Sequence, residues 1–168
     1  AINVFAKHAS ADILLTDVGV AGDLSFAPTA PRVTCASFAV RRGTGNIRVG
    51  RAMTRREAEA SLEVGAKVAV EAVARGADVI ATGEIGIGNT TVAAALTCAV
   101  TGAEPALVVG SGTGVDERVR ARKVRVVEDA LARNAGGRVD TVELLSRLGG
   151  LEIAALAGAM LEAARRRV

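Results

Sequence analysis

The chain of 168 residues contains no tryptophan, no tyrosine and only three phenylalanines. Single-stranded nucleic acid is held by stacking bases on aromatic rings, so that function is disfavoured. One histidine, His8, stands in the whole chain and reads as a surface residue. A histidine-based catalytic dyad or a multi-histidine metal site is therefore excluded within it. Cys35 and Cys98 are too far apart in sequence to suggest a disulfide framework or a zinc site. Cys98 lies in an apolar stretch and reads as a buried, inert thiol. Charge of one sign is also scarce. Twenty-one basic against 18 acidic residues give a formal net charge of +3, with the arginines spread along the chain. Weak polyanion binding is allowed by that balance but not indicated.

No secretory leader is visible. The longest uncharged run, residues 85–103, reaches spanning length but carries glycines, an asparagine and several threonines. It reads as a turn plus a buried helix rather than a membrane span. A reduced, cytoplasmic setting fits. The chain opens without Met, as if in mid-helix, and closes on Arg-Arg-Arg-Val. Residues 1–168 are expected to form a single α/β domain, a fragment or the ordered core of a longer chain.

What is abundant is Ala, Val, Leu and Gly, enough to build a core. The stretch Gly83-Glu84-Ile85-Gly86-Ile87-Gly88-Asn89-Thr90-Thr91 stands at its centre. Residues 77–82 before it are short and mostly apolar, which predicts a strand buried on both faces. Residues 92–100 after it are apolar nearly all round, which predicts a packed helix. Three glycines thus fall at a strand-to-helix turn, with Asn89, Thr90 and Thr91 able to cap the helix. Such turns present backbone N–H groups and the positive helix end to phosphate. Glu84, in the same turn, would repel phosphate at contact distance and suits a cation, a base or a sugar hydroxyl. The stretch matches no generic phosphate loop. A glycine-rich turn without a ligand is equally compatible with its spacing.

In chain order, residues 1–8 read as the end of a helix and residues 11–20 as a strand. Asp17 falls near that strand's C-terminal end, where open α/β sheets place ligands, although a capping or solvated Asp fits as well. Residues 21–53 read as one long irregular loop, functional or mobile, in which Arg41-Arg42-Gly43-Thr44 could hold an anion. Thr54-Arg55-Arg56-Glu57 is a capping box. It opens a helix with charges at 59, 63, 67, 71 and 75 on one face and Ala58, Leu62, Ala66, Ala69 and Val73 on the core face, ending at Gly76. A second glycine loop, residues 108–114, includes Gly110, Gly112, Thr113 and Gly114 and leads into a basic helix over about residues 115–133. Val119, Val124, Val127 and Leu131 form its buried stripe. Side chains lean towards a helix N-terminus, so Lys123 can reach back to the loop region and bind phosphate. Asp140 to Glu143 is a second capping-box pattern, and the last helix, residues 151–167, shows no chemistry.

The chain resembles the nicotinate-nucleotide–dimethylbenzimidazole phosphoribosyltransferases of cobalamin lower-ligand synthesis. The resemblance covers essentially the whole chain. It is carried by Asp17-Val18-Gly19-Val20-Ala21-Gly22-Asp23, by Arg41-Arg42-Gly43-Thr44 and by the nonapeptide 83–91. Gly110-Ser111-Gly112-Thr113-Gly114-Val115-Asp116 and Arg122-Lys123 complete it. It implies a Rossmann-like, three-layer α/β domain with a parallel sheet, helix-rich and incomplete relative to the full family domain, and a homodimer. The implied reaction moves the phosphoribosyl group of nicotinate mononucleotide to 5,6-dimethylbenzimidazole, with neither metal nor cofactor. Carried over by position, Glu84 lies in the active site near the ribose and the departing nicotinate. Asp17, Gly86, Gly88, Asn89, Thr90, Thr91, Gly110, Gly112, Thr113, Gly114 and Lys123 bind substrate. The family's general base follows the last residue of this chain, and much of the benzimidazole pocket precedes the first. The alternative is a non-catalytic phosphate- or nucleotide-binding remnant of the same fold. Neither nucleic acid nor membrane is an expected partner.

Overall fold

The computed structural model describes residues 2–22, 24, 32–110 and 116–168. Helix α1, Ile2–Ala9, leads into strand β1, Ile13–Asp17. A second strand, β2, runs Val33–Ser37 inside the segment expected to be one irregular loop. Its Val-Thr-Cys core is rich in β-branched residues and suits a pleated surface, a signal masked by the neighbouring prolines. The two strands pair in parallel, Ile13 opposite Val33 through Asp17 opposite Ser37. Parallel pairing needs a long crossover, which the intervening residues supply.

The strand expected over residues 77–82 does not form. Among the described residues the sheet is β1–β2 alone, so nothing offers this segment a ladder partner, and Val79 is 82% exposed. Strand propensity becomes structure only against a cross-strand neighbour.

The remaining elements are helical: α2 Arg55–Ala74, α3 Asn89–Thr101, a single turn α4 Pro105–Val108, α5 Glu117–Asn134, α6 Thr141–Leu148 and α7 Leu151–Arg166. The first capping box is complete. Thr54 accepts from the Glu57 N–H, and the Glu57 carboxylate accepts from the Thr54 N–H at 2.7 Å. At the second, Asp140 caps through the Glu143 N–H, but the Glu143 side chain turns instead to Arg51 and Arg147.

Two packed regions hold these helices. In the first, α2 lies against α7 at backbone contact. A Cβ on Gly65 would stand 1.7 Å from the Ala155 carbonyl oxygen, and one on Gly158 would stand 2.0 Å from that of Leu62. The buried face of α2 is Ala58, Ser61, Val64, Gly65 and Ala69; of the expected stripe Ala58 and Ala69 are buried, while Leu62, Ala66 and Val73 are half-buried. Apart from Val64 its residues are small, which a search for large apolar side chains overlooks. In the second, Val127 and Ala130 of α5, Ala94, Ala95 and Cys98 of α3, and Leu148 and Leu151 share one buried cluster. Burial pushes the Cys98 thiol up, as befits an inert core residue. No helix among the described residues is long and apolar enough to cross a membrane.

Candidate functional site

Between residue 77 and the start of α3 the nonapeptide runs as exposed, unpaired chain. Gly88 is its N-cap, at φ +91°, and makes no side-chain cap. That conformation strains a residue with a Cβ. The expected capping role of Asn89, Thr90 and Thr91 is thereby corrected. They lie inside the first turn, and two of their side chains bond elsewhere.

Thr90 Oγ1 accepts from Lys123 Nζ at 2.9 Å, a contact that spans 33 residues. Lys123, expected to reach back to the glycine loop ahead of its own helix, meets the first turn of α3 instead. The result is a helix N-terminus with no side-chain cap at its N-cap and an ammonium group beside it. Both features favour an anion. On the other side, Asn89 Nδ2 donates to Glu152 Oε1 of α7 at 2.8 Å. Glu84 folds back on its own turn and accepts from the Gly86 N–H at 2.5 Å. A Cβ on Gly86 would lie 3.1 Å from Glu84 Oε2 and 3.7 Å from Glu152 Cδ, so two carboxylates flank one glycine.

Asp17 ends β1 and is committed locally. Its Oδ1 accepts from the N–H groups of Gly19 and Val20, each at 2.8 Å, and its Oδ2 from the Ser37 hydroxyl at 3.1 Å. Burial raises its carboxyl pKa, but these hydrogen bonds and the Arg42 charge outweigh it and leave the group below its ordinary value. The turn it shapes docks on two others. Gly43 N–H donates to the Gly19 carbonyl at 2.8 Å, and Val40 N–H to that of Val18 at 3.0 Å. A Cβ on Gly19 would stand 2.2 Å from the Arg41 oxygen and 2.4 Å from Leu151 Cδ1. The Asp17 turn and the Arg41–Thr44 turn therefore meet at the start of α7, one residue before Glu152 touches the nonapeptide. Arg41 itself pairs with Glu57 at 3.3 Å, which ties its turn to α2.

Gly110 is exposed and follows the buried Val109. Gly112, Thr113 and Gly114 lie outside the described residues. Both flanks of that stretch are fixed by Arg120, read from sequence as part of a basic face. Its guanidinium donates to the Val109 and Ala106 carbonyls at 3.0 and 2.7 Å and pairs with Glu117 at 3.0 Å. Sequence reasoning missed Glu152. Its signal was Gly149-Gly150 directly before an acidic first helical turn, read only as the end of α6.

A sequence-family profile described as a phosphoribosyltransferase matches residues 1–168. The nicotinate-nucleotide–dimethylbenzimidazole phosphoribosyltransferase of Chromobacterium violaceum is 48% identical over 165 residues, covering 98% of this chain and 46% of that protein. The enzyme of the same name from Chloroflexus aggregans is 44% identical, covering 100% and 46%. The crystal structure of CobT from Thermus thermophilus superposes with a TM-score of 0.91 at 43% identity, covering 100% of this chain and 49% of that one. The chain spans about half the length of the curated relatives it matches. With one profile matched along its whole length and relatives this similar, the chain belongs to the nicotinate-nucleotide–dimethylbenzimidazole phosphoribosyltransferase family.

Proposed function

We propose that this chain carries the phosphoribosyl half of a transferase active site. The protein containing it moves the phosphoribosyl group of nicotinate mononucleotide to 5,6-dimethylbenzimidazole. The C1′–N bond to the pyridine ring breaks, and its electron pair neutralises the pyridinium, releasing nicotinate. A benzimidazole nitrogen bonds to C1′, and the proton of its other ring nitrogen is lost to a base, giving α-ribazole 5′-phosphate.

The observation that carries this reading is the Lys123–Thr90 contact at the start of α3, with Glu84 in the same turn. Phosphate would sit on the α3 N–H groups and Lys123, with Gly110 as a further candidate contact. Glu84 would face the sugar, where positive charge builds as the glycosidic bond opens. Asp17 contributes by holding the turn beside the Arg41–Thr44 segment. The general base belongs to a glutamate outside these residues. A cytoplasmic homodimer is part of the same reading; exposed Ile87, Leu107 and Val79 support an apolar contact.

The test is release of nicotinate from nicotinate mononucleotide on addition of dimethylbenzimidazole. Release dependent on the benzimidazole supports transfer. Nucleotide binding without release, in the protein as it occurs in the cell, favours the non-catalytic binding remnant. Glu84→Gln is expected to lower kcat by about 100-fold, the scale of losing one group aimed at transition-state charge, with nucleotide affinity little changed. Equal losses in both would remove that role from Glu84.

A further inference from the structure

The α7 helix was expected to hold no chemistry, yet its first turn places a carboxylate against the nonapeptide. We infer that Glu152 is a positioning residue for the proposed transfer: it holds the Asn89 amide, and through it the first turn of α3, so that Glu84 and the Thr90–Lys123 pair face one ligand. The inference rests on the function proposed above.

Four features carry it. Asn89 is the first helical residue after the Gly88 N-cap, so its side chain is not engaged in capping the helix. It donates its amide to Glu152 Oε1 at 2.8 Å in a half-buried contact that joins elements 63 residues apart. Next, space has been left for that carboxylate. A Cβ on Gly150 would stand 2.4 and 2.5 Å from the two Glu152 oxygens, so any side chain there displaces it. Third, Glu152 stands on a fixed floor. The preceding Leu151 is 2% exposed and lies within the shared core cluster. Finally, the geometry couples it to Glu84, because the two carboxylates flank Gly86 from separate elements. An exposed, unladdered loop has little else among the described contacts to fix its orientation.

The variants are Glu152→Ala, Glu152→Gln, Asn89→Asp and the double Asn89→Asp with Glu152→Gln. For each, kcat and KM for nicotinate mononucleotide are measured beside the unfolding temperature. Glu152→Ala and Asn89→Asp are expected to lose about 100-fold in kcat, the scale of a small misplacement of a catalytic group. Glu152→Gln still accepts from Asn89 and stays close to wild type. In the double variant the new amide at position 152 donates to the new carboxylate at position 89. The bond is rebuilt with its polarity reversed, and kcat rises above that of Asn89→Asp. The inference is overturned if Glu152→Ala keeps wild-type kcat and KM, or if the double variant is no better than Asn89→Asp. It is also overturned if Glu152→Gln falls as far as Glu152→Ala, since charge rather than positioning would then matter. A wild-type protein that releases no nicotinate sinks the proposed reaction instead. The coupling is then read from nucleotide affinity in the same variants: a loss in Glu152→Ala and Asn89→Asp that the double variant restores supports it, and unchanged affinity in Glu152→Ala overturns it.

Discussion

The half-buried Asp17 and the buried Ser61 show how differently a polar side chain can be treated. Asp17 is saturated: two N–H groups and a hydroxyl meet its oxygens, and its folded-state pKa lies below the ordinary 3.8. A carboxyl whose pKa is lower folded than unfolded adds stability above its unfolded pKa. That contribution disappears as pH falls through the folded value. Asp17→Asn should therefore cost about 1 kcal/mol at pH 7 and much less in acid below that folded value. Urea midpoints at the two pH values check the sign; an equal loss at both would contradict it. Ser61 is the opposite case, fully buried with no hydrogen-bond partner for its hydroxyl among the described residues. Ser61→Ala removes an unmet polar group at almost constant volume and should raise stability by about 1 kcal/mol, or about 2–4 °C in Tm. A drop in Tm would mean the hydroxyl has a partner after all. Nothing in the sequence distinguished these two. A residue type announces its hydrogen-bonding capacity, but whether that capacity is met depends on groups far along the chain.

At the scale of elements, the sequence spoke clearly where signals were local. The Thr54 capping box and the Gly76 stop after α2 depend on neighbours within a few residues. It was misleading where an element needs a distant partner. Residues 77–82 have strand composition but no ladder, whereas Val33–Ser37 hides beside prolines and pairs with β1. The α2–α7 crossing illustrates the same limit. Gly65 and Gly158 let two backbones touch, and neither glycine marks a turn or a cap. Gly65→Ala should destabilise by about 3 kcal/mol, because the added methyl meets a carbonyl rather than a flexible side chain. Gly136, with no neighbour within 4 Å of its absent Cβ, is the control, and Gly136→Ala should change little. Chemical unfolding of the pair separates close packing from loss of backbone freedom. Similar costs for both would argue against helix contact as the reason for glycine at 65.

For the whole molecule, the candidate site is assembled rather than contiguous. Its parts come from β1, the loop after β2, the nonapeptide, α5 and α7, and the start of α7 is where most of them touch. Glycine patterning exposed the nonapeptide, but helix geometry aimed Lys123 at the loop ahead of α5 and not at Thr90, its partner across 33 residues. The meeting of the Asp17 and Arg41 turns, and the role of Glu152, could be seen only once α7 had been placed. Open surface grooves exist elsewhere, such as that lined by Arg48, Asp129, Ala132 and Arg133, but the Arg48–Asp129 ion pair at 2.6 Å already spans it. The claim on which the rest depends is that the start of α3 and Lys123 hold the phosphate of nicotinate mononucleotide. Calorimetric titration tests it most directly, comparing nicotinate mononucleotide with nicotinate riboside on wild-type protein and on Lys123→Ala. The prediction is saturable binding of the mononucleotide, much weaker binding of the riboside, and a loss of about 10-fold in mononucleotide affinity for the variant, the scale of one charge-assisted hydrogen bond. Equal affinity for the two ligands, or an unchanged affinity in Lys123→Ala, would contradict it.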